Sequence, residues 1–107
     1  MTTLANMTLR QIINSNLSQA MISDAIDSKV FIEVKTQVRN YLKHTRDSIG
    51  LEYTESDVET IASESAHEVR RRLDGIDSPN DAHLHNWAWI VSAGKCIKFI
   101  HGIEIHG

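Results

Sequence analysis

The stretch from Asp81 to His101 carries more apolar residues than one buried side of a helix can use. At about 100° per residue, its apolar residues fall on two separate sides of a helix. One side holds Trp89, Ile90, Ala93, Cys96, Ile97 and Ile100, and the other holds Leu84, Trp87, Ala88, Val91 and Phe99 with Lys95 and Lys98 among them. Such a helix is either surrounded by other helices, or it packs inward on one side and receives a partner on the other.

Three periodic segments each end in a glycine followed by an apolar residue, a pattern typical of a left-handed helix C-cap with a hydrophobic contact. The pairs are Gly50-Leu51, Gly75-Ile76 and Gly102-Ile103. The recurrence of this pair after each periodic segment indicates helices joined by short loops. We therefore predict an all-α fold, a compact antiparallel bundle of about four helices, with residues 1–107 as a single helical domain.

The first two helices have recognisable start signals. Thr8 and Gln11 have the spacing of a capping box, so a helix should begin there, and the polar cluster 14–16 could break or bend it. Asp27-Ser28 offers a cap for a second helix. Residues 29–34 also alternate in the manner of a strand, so helix and strand both remain open for them.

The third and fourth helices also have predicted starts. Thr54 with Asp57, or Ser56 with Glu59, can start the third helix. Its predicted buried stripe is Val58, Ile61, Ala62, Ser65, Ala66, Val69 and Leu73. Ser78 as N-cap and Pro79 at the first helical position should open the fourth helix, and residues 103–107 should form a short tail.

Composition excludes several classes of protein. The net charge of −3 opposes general binding to a phosphate backbone, and no run approaches the roughly 18 apolar residues that cross a bilayer. The first residues lack a basic region followed by an apolar run, so we expect no secretion signal and a cytoplasmic location. Cys96 is the single cysteine, and we expect it to pack as a small apolar residue.

The six histidines do not converge on one helix face. His83 and His85 lie about 200° apart on a helix, so we predict no metal and no other cofactor. Arg70, Arg71 and Arg72 could contact an anion or an acidic partner, because guanidinium groups are suited to bidentate contacts. Acidic residues four positions away would pair with some of that charge.

A short motif on the second helix suggests an alternative function. The segment Arg39-Asn40-Tyr41-Leu42-Lys43-His44 resembles the Arg-x4-His motif of the HEPN family of helical-bundle ribonucleases over these six residues. The resemblance implies metal-independent RNA cleavage, with His44 as acid and base at a ribose 2′-hydroxyl and Arg39 stabilising the phosphate. A nucleic-acid-binding helical module using the arginines of the third helix is a further alternative.

We expect a small cytoplasmic protein-interaction module without catalytic activity that acts as a regulator or inhibitor. It would bind a partner protein and could self-associate as a homodimer, and its compactness would suit a bacterial or phage protein. The side of the fourth helix with Trp89 is free of charge and is predicted to face the interior. The predicted partner-binding side bears apolar anchors bordered by cations, which suit an acidic rim. Its residues are Leu84, Trp87, Val91, Lys95 and Lys98.

Overall fold

The computed structural model describes the backbone of residues 6–106 and the side chains of residues 6–102. Residues 1–5 lie outside this range, and they belong to the segment from which we expected no secretion signal. Within it the chain forms four helices and no strand. They are α1 (Leu9–Ile13), α2 (Gln19–Ile49), α3 (Glu55–Asp74) and α4 (Asp81–His106). The helices α2, α3 and α4 pack against one another and α1 packs on α2, so the predicted compact all-α bundle is confirmed.

Ion pairs between the helices show their directions. Asp27 near the start of α2 accepts from Arg70 near the end of α3 at 2.9 Å, so these two helices are antiparallel. Lys29 pairs with Asp81 at the first residue of α4 at 3.8 Å, so α4 runs parallel to α2 and antiparallel to α3. The backbone N–H of Leu9 donates to Asp81 at 2.8 Å, which ties α1 to the start of α4.

Several helix ends follow local sequence signals. Both predicted capping boxes are present, Thr8 with Gln11 and Thr54 with Asp57, and each satisfies two backbone N–H groups at a helix start. Gly50 ends α2 in the left-handed conformation with φ 73°, as predicted. These signals act between residues only a few positions apart, which is why the sequence alone reveals them.

The predicted boundary at Asp27-Ser28 is wrong. The helix α2 begins earlier, where the Ser18 side chain accepts from the Met21 backbone N–H, and it continues unbroken through Asp27. Residues 29–34 are helical, so the strand alternative is also wrong. The break falls instead at the polar cluster 14–16, and apolar residues at four-residue spacing keep α2 packed on its neighbours across the expected boundary.

The boundaries of α4 also differ from prediction. Gly75 follows α3 but has φ −83°, so it is not a left-handed cap, and Gly102 lies inside α4. Backbone residues 103–106 therefore continue the helix and do not form a tail. Ser78 is not the N-cap: Asn80 accepts from the His83 backbone N–H at 3.0 Å, and the His83 ring accepts from the Asn80 backbone N–H at 3.1 Å.

The core is built from ridges of residues four apart. In α2 the buried ridge is Ile22, Ile26, Val30, Val34, Val38 and Leu42. In α4 it is Leu84, Ala88, Ser92 and Cys96. The predicted stripe of α3 is confirmed, with Ala66 partly exposed and the rest buried. Interdigitation of four-residue ridges is a common mode of helix packing, and the small residues of α3 and α4 permit a close approach.

Candidate protein-interaction surface

The structure reverses the two sides predicted for α4. Leu84 and Val91, on the predicted partner-binding side, are only 3% and 7% exposed and belong to the core. Trp89, Ile90 and Ile97, on the predicted interior side, are 51%, 55% and 44% exposed. The assignment of the charge-free side to the interior is therefore wrong for these three residues, although Cys96 on the same side is buried. Of the partner-binding residues proposed from the sequence, only Lys98 is exposed.

Lys95 shows how a charged residue can lie on the inner side of α4. Lys95 is half-buried and its Nζ lies 3.7 Å from a carboxylate oxygen of Glu68 on α3, while Lys98 is exposed. A lysine can lay its aliphatic stem along an interface while its ammonium group reaches the edge. Trp87 packs against the core, with the guanidinium carbon of Arg72 4.8 Å from the centroid of its ring. The presence of a lysine on one side of α4 therefore does not show that this side faces solvent.

A sequence signal for the correct side did exist. The residues Leu84, Ala88, Ser92 and Cys96 repeat the four-residue spacing of the buried ridge of α2. Trp89, Ala93 and Ile97 on the charge-free side have the same spacing, so the distinguishing feature of the inner series is the small size of its later members, which permits close helix packing. Comparison of side-chain size along the two series, rather than of charge, would have favoured the inner side.

The exposed apolar surface lies on α4 and continues onto α2. We define the α4 ridge as Trp89, Ile90, Ala93, Gly94 and Ile97. The ring of Tyr41 from α2 lies beside it, with its centroid 6.2 Å from that of Trp89 and the planes tilted by 48°. Lys29, Glu33 and Tyr41 of α2 all contact α4, and Ile49 continues their four-residue spacing with 63% of its surface exposed.

Gly94 occupies the middle of the α4 ridge. A Cβ atom added there would meet no atom within 4 Å, so nothing among the described residues requires a glycine at this position. Glycine inside a helix costs roughly 0.5–1 kcal/mol relative to alanine. The packing of one chain leaves this cost unexplained, whereas the close approach of a second backbone would account for it.

A groove of about 620 Å³ lies between the first half of α2 and the start of α4. Its lining includes the exposed apolar side chains of Met21 and Ile32 together with Leu84. Two polar pairs cross it: Lys29 with Asp81, and Glu33 with His85, whose Nδ1 is 2.8 Å from a Glu33 oxygen. The α2–α4 seam is therefore polar near the start of α4 and apolar further along.

The three arginines of α3 have different surroundings. Arg70 pairs with Asp27 at 2.9 Å and with Asp74. Arg72 pairs with Glu68 at 3.4 Å in addition to its contact with Trp87. Arg71 is exposed and lines a shallow cavity beside Lys95. Internal pairing thus involves Arg70 and Arg72, and contact of the three with an anion or acidic partner stays a prediction.

The Arg39 and His44 pair does not converge within one chain. Five residues along a helix turn the side-chain direction by about 140°. Arg39 points toward α3, where it pairs with Glu55, and His44 is exposed. The HEPN-like ribonuclease remains an untested alternative. Among the side chains of residues 6–102, no group of three or more His, Cys, Asp or Glu is placed to hold a metal ion.

Cys96 lies on the buried ridge of α4 and its side chain is inaccessible to solvent. Burial raises the pKa of its thiol to about 12, because the thiolate would lose its hydration. A thiolate is the reactive form of cysteine, so this side chain acts as a packing residue at neutral pH.

Comparisons with known proteins do not assign this chain to a family: no family model, curated protein or solved structure matches it. Over the described residues, none of the helices combines the length and the apolar character needed to span a membrane. The fold and the surface therefore define the class of protein: an all-α bundle with an exposed apolar helix face.

Proposed function

We propose that this chain is a protein-interaction module that acts as a regulator or inhibitor by binding a partner through the α4 ridge. The observation that carries the proposal is the exposure of Trp89, Ile90 and Ile97 on one helix face. Contiguous apolar patches on a folded protein commonly mark interaction sites, and aromatic anchors supply much of the binding energy. A cytoplasmic location is part of the proposal, and the buried, unpaired thiol of Cys96 is compatible with it.

The groove beside α4 supports the same function. It lies on the α2–α4 seam, and its combination of apolar lining residues with two polar pairs resembles the composition of a site for a protruding side chain. A partner that covers the α4 ridge could place one side chain there.

Site-specific cross-linking in cells that produce the protein tests the proposal. A photoreactive amino acid at position 90 should form an adduct with a protein, whereas one at the exposed position Glu64 on α3 should not. Ile97→Asp, combined with the photoreactive residue at position 90, should abolish the adduct and leave the melting temperature of the purified protein unchanged. The absence of any protein adduct at position 90, including one with a second copy of the chain, would contradict the proposed function.

A further inference from the structure

We propose that the partner of the α4 ridge is the same ridge of a second copy, packed antiparallel about a two-fold axis between Ala93 and Gly94. The proposal rests on the proposed function, because it names the partner of the same surface. A two-fold interface uses one patch twice, so the patch must be complementary to itself.

The sequence of the ridge has this self-complementarity. Ile90 stands three residues before Ala93, and Ile97 stands three residues after Gly94. A two-fold axis between Ala93 and Gly94 sets Ile90 of one copy level with Ile97 of the other. It also sets the small pair Ala93-Gly94 of one copy against the same pair of the other. All four residues lie within about 100° of the helix circumference, so they can meet one partner helix.

The small pair allows the two backbones to approach closely. The distance between packed helices depends on the side chains at their point of contact. Gly94 has open space where a Cβ would project, and Ala93 adds only a methyl group. Contact with the partner backbone would explain why position 94 is a glycine, which the packing within one chain does not explain.

Charge does not oppose the contact. The exposed residues of α4 from Asn86 to Ile97 include no charged side chain, so this contact sets no like charges together. The antiparallel orientation follows from the register, because only an antiparallel pair sets Ile90 of one copy level with Ile97 of the other.

The size of the surface predicts a weak dimer. The 16 residues 86–101 extend for about 24 Å along the helix axis. With Tyr41 of α2 at its edge, two such faces bury on the order of 1,000 Å², near the lower limit for specific interfaces. We expect a dissociation constant on the order of 10 µM, so the dimer should form and dissociate with concentration over the micromolar range.

Sedimentation equilibrium tests self-association, and Ile90→Asp should weaken it at least tenfold. The matched control is Ile13→Asp, which makes the same substitution at an exposed isoleucine on α1, outside both the ridge and the groove. The control should leave the association unchanged. A wild-type protein that stays monomeric up to about 1 mM, or equal weakening by both variants, would overturn the proposal.

Disulfide formation tests the register. In the proposed dimer the two positions 94 are offset by about 1.5 Å along the axis, so Gly94→Cys should cross-link to itself. Two positions 90 are offset by about 10 Å, so Ile90→Cys should remain uncross-linked alone and should cross-link when mixed with Ile97→Cys. Self-cross-linking by Ile90→Cys would instead indicate a parallel pair and overturn the proposal.

The two proposals can fail separately. A monomer in solution whose position 90 cross-links to a different protein in cells would overturn the dimer and retain the interaction function. A position 90 that cross-links to no protein would overturn both.

Discussion

Trp89 of α4 lies against Tyr41 of α2 with ring centroids 6.2 Å apart, and 51% of the Trp89 surface is nevertheless exposed. The contact with the tyrosine limits the rotation of the indole, and about half of the Trp89 surface remains open to solvent. An anchor that is already ordered loses little conformational entropy on binding, which favours recognition at this point.

The two tryptophans should contribute unequally to stability, in the order opposite to that expected from the sequence. Trp87→Ala should lower the free energy of unfolding by about 2–4 kcal/mol, because Trp87 packs against the core and beneath Arg72. Trp89→Ala should lower it by about 1 kcal/mol, since it removes chiefly the contact with Tyr41. Urea denaturation followed by circular dichroism measures both, and a larger loss for Trp89→Ala would contradict the burial of the inner side.

The two glycines Gly94 and Gly50 should respond in opposite directions to alanine. Gly94→Ala should raise the free energy of unfolding of the dilute monomer by about 0.5–1 kcal/mol, because its new methyl group meets nothing. Gly50→Ala should lower it by about 1–2 kcal/mol, because φ is 73° there and the left-handed conformation disfavours a Cβ. Thermal melting at low protein concentration compares them, and destabilisation by Gly94→Ala would show an intramolecular role for that glycine.

The buried serines of α3 and α4 should tolerate loss of their hydroxyl groups. The Oγ atoms of Ser65 and Ser92 are buried and have no hydrogen-bond partner among the described residues. An unsatisfied buried polar group costs about 1–3 kcal/mol, so Ser65→Ala and Ser92→Ala should each raise stability by up to about 1 kcal/mol. Ser63 on α3 is exposed, so Ser63→Ala is the control and should change the free energy of unfolding by less than about 0.5 kcal/mol. A clear loss at position 65 or 92 would reveal a hydrogen bond in solution.

Alkaline pH should destabilise the fold through Cys96. The thiol has a pKa of about 12 in the folded protein against an ordinary value of 9.0, so above pH 9 the unfolded chain binds fewer protons than the folded one. The thiol therefore contributes its full share to the free energy of unfolding below pH 9. This contribution is lost as the pH rises toward 12, by about 1.4 kcal/mol per pH unit. Urea denaturation between pH 9 and 12 measures the slope of the free energy of unfolding against pH. Cys96→Ala should have a shallower slope than the wild type, because lysines and tyrosines contribute equally to both proteins. Identical slopes would contradict the raised pKa.

The sequence determined the features that depend on neighbouring residues. The capping boxes at Thr8 and Thr54 and the left-handed end at Gly50 are formed by groups a few positions apart, so their spacing was sufficient to predict them. The buried stripe of α3 was also predicted, because this helix has one apolar side and a single arrangement therefore buries it.

Tertiary structure decided the features for which the sequence offered two solutions. Both sides of α4 are apolar, and the choice depended on the fit of its Ala88, Ser92 and Cys96 ridge against α2 and α3, together with the reach of Lys95 to Glu68. Asp27, a plausible helix cap by itself, instead pairs with Arg70, which is 43 residues away. Such contacts join residues that are distant in the chain, and periodicity within one helix carries no information about them.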